Sequence, residues 1–332
     1  METQSLVVVL QPWGFGENGE REILERAGCR VVVSDAVSED EMIAAAKDAD
    51  ALIYTGPLSR RLMESLTRCK VIARSAIGMD NVEGMELATE RGTVLVNVPD
   101  VFIEEVANHT MTLLLGTVRG LVTYDRYVRD GGWTRREPRP DVKVHRLVGE
   151  TLGLVGFGNI ARMVAKRAQA FGMEILAYDP YLPREMFALA GARQGSLAQV
   201  LQDSDIISVH TPLTPETHHL IGAAQLRLMK RDAILINTAR GPVVDEAALI
   251  AALQNGDILG AGLDVVEVEP ITADNPLLTM PNVTLTPHMA SVSVWANGER
   301  RRRLALEIAA VLSGMRPRAV YNPDVLKNVR LM

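Results

Sequence analysis

Arg240, Glu269 and His288 each follow an apolar, strand-like run in the second half of the chain. Arg240 sits in Asn237-Thr238-Ala239-Arg240-Gly241-Pro242, Glu269 precedes Pro270, and His288 ends Thr286-Pro287-His288. A guanidinium is permanently charged, and its planar fork of donors can anchor a carboxylate and polarise a carbonyl. An imidazole titrates at about 6.5, so it can hand a proton to a developing alkoxide near neutrality. A carboxylate beside the imidazole favours the protonated ring and fixes its orientation. The three types together make a kit for reducing a 2-keto acid. Each also has an ordinary reading. Arg240 could enter a helix or an interdomain ion pair, Glu269 could be an exposed loop acid beside Glu267, and His288 could be a hydrogen-bonded strand-end histidine.

Upstream of all three, Leu152-Gly153-Leu154-Val155-Gly156-Phe157-Gly158-Asn159-Ile160-Ala161 reads as strand, glycine turn and helix. Gly156 suits a tight turn and Gly158 the close approach of a pyrophosphate, and Ala161 stands where a third glycine is common. The phosphates would meet the free N–H groups and positive dipole end of the helix. Asp179 lies about 20 residues beyond Gly158, the offset of a ribose-binding acid. Its carboxylate would accept from both ribose hydroxyls and repel a 2′-phosphate, so NAD is favoured over NADP. The plainer reading of Asp179 is a turn cap before Pro180.

These motifs need a scaffold of parallel strands. Apolar runs rich in Val, Ile and Leu at 6–10, 30–33, 51–55, 71–73 and 94–98 alternate with helical patterns such as 17–27 and 39–47. A second series runs through 152–155, 174–178, 206–210, 233–237, 260–264 and 283–286. Continuous apolar strands alternating with helices predict parallel sheets covered on both faces. The stretch 104–119 reads as a long helix, 134–146 as an irregular basic connection, and 293–313 as a final helix. The pattern places a domain boundary near Pro99, and the last helix can return to complete the first domain.

The 332 residues suffice for two domains, and 47% hydrophobic with 23% charged residues is an ordinary globular balance. A formal charge of −6 argues against a nucleic-acid or acidic-membrane partner. Cys29 and Cys69 are too few for a disulfide framework, no metal-type Cys/His spacing occurs, and a cytoplasmic, reducing setting is expected. The run at 6–10 is too short for a signal peptide or membrane span.

The chain resembles the D-isomer-specific 2-hydroxyacid dehydrogenases, most strongly from Gly149 to Ala290. The resemblance rests on the glycine turn, Asp179-Pro180, His210-Thr211-Pro212-Leu213-Thr214, 237–241, 262–270, Pro287-His288 and Ala76-Ile77-Gly78-Met79-Asp80-Asn81-Val82. Residues 157–160 and 162–181 are most similar to the branch holding C-terminal-binding-protein-like dehydrogenases, with phosphoglycerate-dehydrogenase-like members also close. The family implies an α/β architecture of two doubly wound parallel sheets. A Rossmann cofactor domain, 100–289, is then inserted in a flavodoxin-like substrate domain made of 1–99 and 290–332, with the active site in the cleft. It implies a homodimer with 104–129 in the interface. The substrate carboxylate would be held by the backbone of Ile77 and Gly78 and by Arg240. Asn159 and Ile160 would present the pyrophosphate turn, Pro212 would line the adenosine side, and Thr238 and Ala239 would meet the nicotinamide ribose. Asp264 would accept from the carboxamide, and His288 to Ser291 would close over the ring.

Members of the family differ in substrate. Formate dehydrogenases carry glutamine where Glu269 stands, which argues against that branch. Phosphoglycerate dehydrogenases usually carry an arginine near Thr55 and a C-terminal regulatory domain, neither of which is expected here. Arg60, Arg61 and Arg74 are the alternative phosphate ligands. The other class of reading is an NAD(H)-sensing, corepressor-like binding module with little turnover. Of the remaining groups, His109 is expected in helix packing and Arg300 to Arg303 on a solvated or interdomain face.

Overall fold

The computed structural model describes residues 4–12, 14–76 and 78–332. The chain forms two compact units, 1–102 with 292–332, and 103–291. The first segment runs β1 (Ser5–Leu10), α1 (Glu20–Arg26), β2 (Cys29–Ser34), α2 (Glu39–Ala46), β3 (Ala51–Ile53), α3 (Arg60–Ser65), β4 (Val71–Ala73), α4 (Met85–Glu90) and β5 (Val94–Val96). The second unit runs α5 (Ile103–Val118), α6 (Leu121–Arg129), β6 (Thr151–Val155), α7 (Asn159–Ala170), β7 (Glu174–Tyr178), α8 (Arg184–Leu189) and β8 (Arg193–Gln194). It continues through α9 (Leu197–Asp203), β9 (Ile206–Val209), α10 (Ala223–Leu226), β10 (Ile234–Asn237), α11 (Glu246–Asn255), β11 (Gly260–Leu263) and β12 (Val283–Leu285). Helix α12 (Val294–Leu312) then packs on α1 and β4 of the first unit.

Both sheets are parallel throughout. The first unit orders its strands β2-β1-β3-β4-β5, the flavodoxin-like order. The second orders them β12-β11-β10-β9-β6-β7-β8, a dinucleotide-binding order with β12 added at one edge. In the second unit, Leu113, Leu114, Val164 and Ala168 fill one face, and Val200, Leu249, Leu253 and Ile258 fill the other. That two-faced burial is why the strands read as unbroken apolar runs. Fully burying one such side chain contributes about 1.5–3 kcal/mol.

Several boundaries differ from the sequence expectation for identifiable reasons. Helix α1 starts at Glu20 rather than residue 17, because Gly19 adopts a left-handed φ of 79°. The Glu20 carboxylate then folds back to accept from the backbone of Gly16 at 2.6 Å and Asn18 at 2.9 Å. Strand β3 stops at Ile53, not Thr55, because the Thr55 and Gly56 carbonyls turn to the buried Arg74 guanidinium at 3.0 and 2.7 Å. Strand β8 was unexpected, since Arg193 and Gln194 carry no apolar signal.

Candidate active site

Strand β12 delivers His288. Beyond Leu285 the chain turns sharply, and His288 adopts a left-handed φ of 50°. A non-glycine residue there is strained by about 1–3 kcal/mol and persists only when its surroundings hold it. The holder is Asp264, just past β11. Its backbone carbonyl accepts from His288 N at 2.8 Å. Its carboxylate accepts from Met289 N and Ala290 N at 2.9 Å each, and from the Thr286 hydroxyl at 2.6 Å. Thr286 in turn accepts from His109 Nε2 on α5 at 2.9 Å.

The Asp264 side chain has no solvent exposure. Its oxygens are engaged by the turn that carries His288, a role beside that of carboxamide acceptor, which the family resemblance implies. Sequence reasoning missed this role and that of His109, because both depend on how α5 and β11 pack.

His288 Nδ1 lies 2.6 Å from Glu269 Oε2. The hydrogen bond to Glu269 holds the imidazole above its ordinary range. Partial burial and the Arg240 charge pull the other way without reversing the shift. Both side chains remain partly open, with 50% of His288 and 36% of Glu269 exposed. Glu269 Oε1 accepts from Val266 N at 3.3 Å, which fixes the acid to its own loop.

Arg240 follows β10. Asn237 braces the turn, donating from Nδ2 to Arg240 O at 2.9 Å and accepting from Ala239 N at 3.0 Å. The next residue must be glycine, since a Cβ on Gly241 would drive into the Val266 carbonyl. Two strand-end loops, one bearing Arg240 and one bearing Glu269, are thus packed backbone to backbone.

The glycine turn lies where the strand order reverses, between β6 and β9. Gly156 has φ of 89°, and a Cβ there would meet the backbone of His210 at 2.9 Å. At Gly158 a Cβ would meet nothing within 4 Å, so the backbone faces open space at the start of α7. Asn159 is exposed and Ile160 half-buried at the first turn of that helix. Asp179 accepts from Phe157 N and Tyr181 N at 3.0 Å each, which aims its carboxylate beside the glycine turn. A bare helix start, an open glycine and an adjacent carboxylate fit a dinucleotide.

The remaining expected contacts are dispersed along the same strand ends. Pro212 is exposed, and Ala239 and Ser291 are half-buried. Thr238 is nearly buried, and its hydroxyl pairs with Thr110 of α5 at 2.8 Å. In the first unit Gly78 is half-buried, and Ile77 lies outside the described residues. Arg74 also donates to Asn81 Oδ1 at 2.7 Å, so one buried guanidinium ties the loop at 55–56 to Asn81. The suggested phosphate ligands are therefore engaged elsewhere. Arg74 is 1% exposed, Arg60 pairs with Glu64 and Glu86, and Arg61 pairs with Glu39 and Asp40.

Residues 111–290, more than half of the chain, match the model of the NAD-binding domain of D-isomer-specific 2-hydroxyacid dehydrogenases. The chain belongs to this family. It is an NAD-binding oxidoreductase acting on 2-hydroxy and 2-keto acids. The dehydrogenase is 41% identical over 292 residues to a glyoxylate reductase of Korarchaeum cryptofilum, covering 87% of this chain and 88% of that protein. It is 40% identical over 303 residues to a D-3-phosphoglycerate dehydrogenase of Methanocaldococcus jannaschii, covering 90% of this chain but 56% of that one. A solved NADPH-dependent glyoxylate/hydroxypyruvate reductase of Sinorhizobium meliloti, in complex with NADP and malonate, superposes with a TM-score of 0.83 at 32% identity. That match covers 96% of this chain and 97% of the other. These relatives side with the enzyme rather than with the corepressor-like alternative.

Proposed function

We propose that the dehydrogenase uses NADH to reduce a small 2-keto acid to its D-2-hydroxy acid, with His288 as proton donor. The observation that carries this reading is the 2.6 Å bond between His288 Nδ1 and Glu269. With Nδ1 engaged, Nε2 is the atom that gives its proton to the substrate oxygen. Arg240 holds the substrate carboxylate and draws charge onto the carbonyl oxygen. Glu269 keeps His288 protonated and oriented. Asp264 is a positioning residue through the His288 turn.

Gly156, Gly158, Asn159, Ile160 and Asp179 would hold the dinucleotide, with Pro212, Thr238, Ala239 and Ser291 along its length. When bound it supplies the hydride. Asp179 favours NADH, since its carboxylate would face the 2′-phosphate of NADPH. Glyoxylate is the first substrate to try, because relatives of similar length are glyoxylate reductases. A homodimer through 104–129 in the cytoplasm completes the reading. Among the described residues no helix is long and apolar enough to cross a membrane.

The test is NADH oxidation by purified protein with glyoxylate, hydroxypyruvate and pyruvate. His288→Ala should lower kcat by about 10²–10⁴-fold, the usual worth of a general acid. Tight NADH binding without turnover of any acid would sink the proposal. Equal efficiency with NADPH would remove the role given to Asp179.

A further inference from the structure

Outside the proposed catalytic set, the second unit brings His218, His219 and Glu267 together. One nitrogen or carboxylate oxygen from each lies within 4.8 Å of the other two. The histidines follow β9 and the acid follows β11, the two strands that flank β10 in the sheet. Glu267 stands 48 residues from His219, so spacing along the chain does not announce the cluster.

Other contacts set the geometry of each member. His219 adopts a left-handed φ of 53°. A residue with a side chain is strained there, and such strain gathers at ligand clamps among other functional places. In this conformation the adjacent His218 and His219 rings stand 4.0 Å apart, centroid to centroid. His219 N donates to Pro242 O at 2.8 Å, and His218 N closes the preceding turn on Thr214 O at 2.9 Å. The Glu267 carboxylate is divided between two tasks. Oε2 accepts from Glu246 N at the start of α11 at 3.0 Å, and Oε1 faces His219 Nε2 at 2.8 Å. Glu267 N donates back to Glu246 Oε2 at 2.8 Å. One oxygen is therefore anchored while the other is aimed at an imidazole, as outer partners aim a ligating carboxylate.

Two imidazoles and a carboxylate are a donor set that zinc takes in three-ligand sites, with water in the fourth position. Imidazole nitrogen selects such transition cations over magnesium or calcium, which take oxygen sets. Zinc bonds of about 2.0–2.2 Å put tetrahedral ligand atoms roughly 3.4 Å apart. The His219–Glu267 pair has to open only slightly to admit the ion. His218 is exposed, so its ring can turn to supply the third ligand. His219 and Glu267 are partly exposed, which leaves an entry path from solvent.

We propose that His218, His219 and Glu267 form a site for a divalent cation of the zinc class. Pro242 belongs to the loop that follows Arg240, and Glu267 to the loop that carries Glu269. A cation held by His219 and Glu267 therefore clips these two loops together without touching the substrate. The site does not depend on the reaction proposed above.

The experiment is titration calorimetry of Zn²⁺ into the metal-free, untagged full chain, as wild type, His218→Ala, Glu267→Gln and His288→Ala. Wild type should bind about one Zn²⁺ per chain. His218→Ala and Glu267→Gln should each weaken binding by at least about tenfold, since losing even an outer partner of a ligand costs that much. His288→Ala should bind as wild type does, which separates this site from the His288–Glu269 pair. Co²⁺ offers a second readout, because its visible absorption should appear on binding to wild type and be lost in His218→Ala. His218→Ala should keep the metal-free turnover and melting temperature of wild type, so that its loss of binding reports on the ligand and not on the fold. Absence of saturable Zn²⁺ binding in wild type overturns the site. So does binding that His218→Ala and Glu267→Gln leave untouched, or binding that only His288→Ala removes.

Discussion

His288 carries two devices that act on different properties. Its left-handed turn sets where the ring points, and its bond to Glu269 sets how long the ring stays protonated. The second device makes a signed prediction. Because the hydrogen bond to Glu269 raises the His288 pKa, keto-acid reduction, which needs the imidazolium, should persist above the ordinary histidine range and fall as pH passes the raised value. Glu269→Gln removes the largest cause of the shift. The alkaline limb of kcat for reduction should move to lower pH, and the acid limb for oxidation, which needs neutral imidazole, should move the same way. Linkage gives a parallel sign: a raised pKa contributes stability that is fully present below about 6.5 and lost above the folded value. Glu269→Gln should therefore lower the melting temperature more at pH 5.5 than at pH 9. An unmoved kcat profile would remove Glu269 from the mechanism. Arg240, Glu269 and His288 could be singled out as candidates together, because a fixed charge, an acid and an imidazole at strand ends behind a glycine turn suggest chemistry that none of them implies alone. The positioning role of Asp264 could not be read, because its grip on Met289 and Ala290 depends on where a distant turn comes to rest.

At the scale of elements, strand ends and the glycine turn did most of the positioning, and most of them could be read in the chain. Parallel strands covered on both faces leave unbroken apolar runs, so β4 and β7 appeared with their observed limits. Edges were harder, since β8 contributes only Arg193 and Gln194 to the sheet. The contact between the Arg240 and Glu269 loops was also hidden, although Gly241 stood in plain view. With φ outside the left-handed region, nothing local demanded glycine there; the demand comes from the Val266 carbonyl. Gly241→Ala must separate the two loops. It should destabilise the protein by about 1–3 kcal/mol, the usual cost of overpacking, and lower kcat by at least about tenfold if the loops place Arg240 against His288. Chemical denaturation and steady-state kinetics on the same variant read both effects. A stable variant with full kcat would show that the loop contact does not set the site. By contrast Gly158→Ala has room within the chain and should leave stability nearly unchanged while weakening NADH binding.

Across the whole molecule, the second unit presents an apolar face that its own fold leaves uncovered. Helix α6 has no buried residue, yet Leu121, Val122 and Val128 are 63%, 44% and 44% exposed. Leu121, Tyr124 and Val128 fall on one helical stripe, and Trp133 just beyond is 66% exposed. Strand β12, at the free edge of the sheet, borders the same cavity of about 670 Å³ as Val122, Thr123 and Tyr127 of α6. An open edge and an apolar helix side by side invite association, and soluble proteins seldom leave such a face bare. The homodimer proposed above would cover this face, since one patch can meet itself across a two-fold axis. A lasting dimer buries roughly 1,200–2,000 Å², and α6 with the irregular stretch 131–148 offers an extended surface for it. Sedimentation velocity at micromolar concentration should give a dimer, and Leu121→Glu with Val128→Glu should shift it to monomer. Neither residue belongs to the proposed catalytic set, so the monomer also asks whether assembly matters to turnover. If wild type sediments as a monomer, the face belongs to some other partner and the homodimer is wrong.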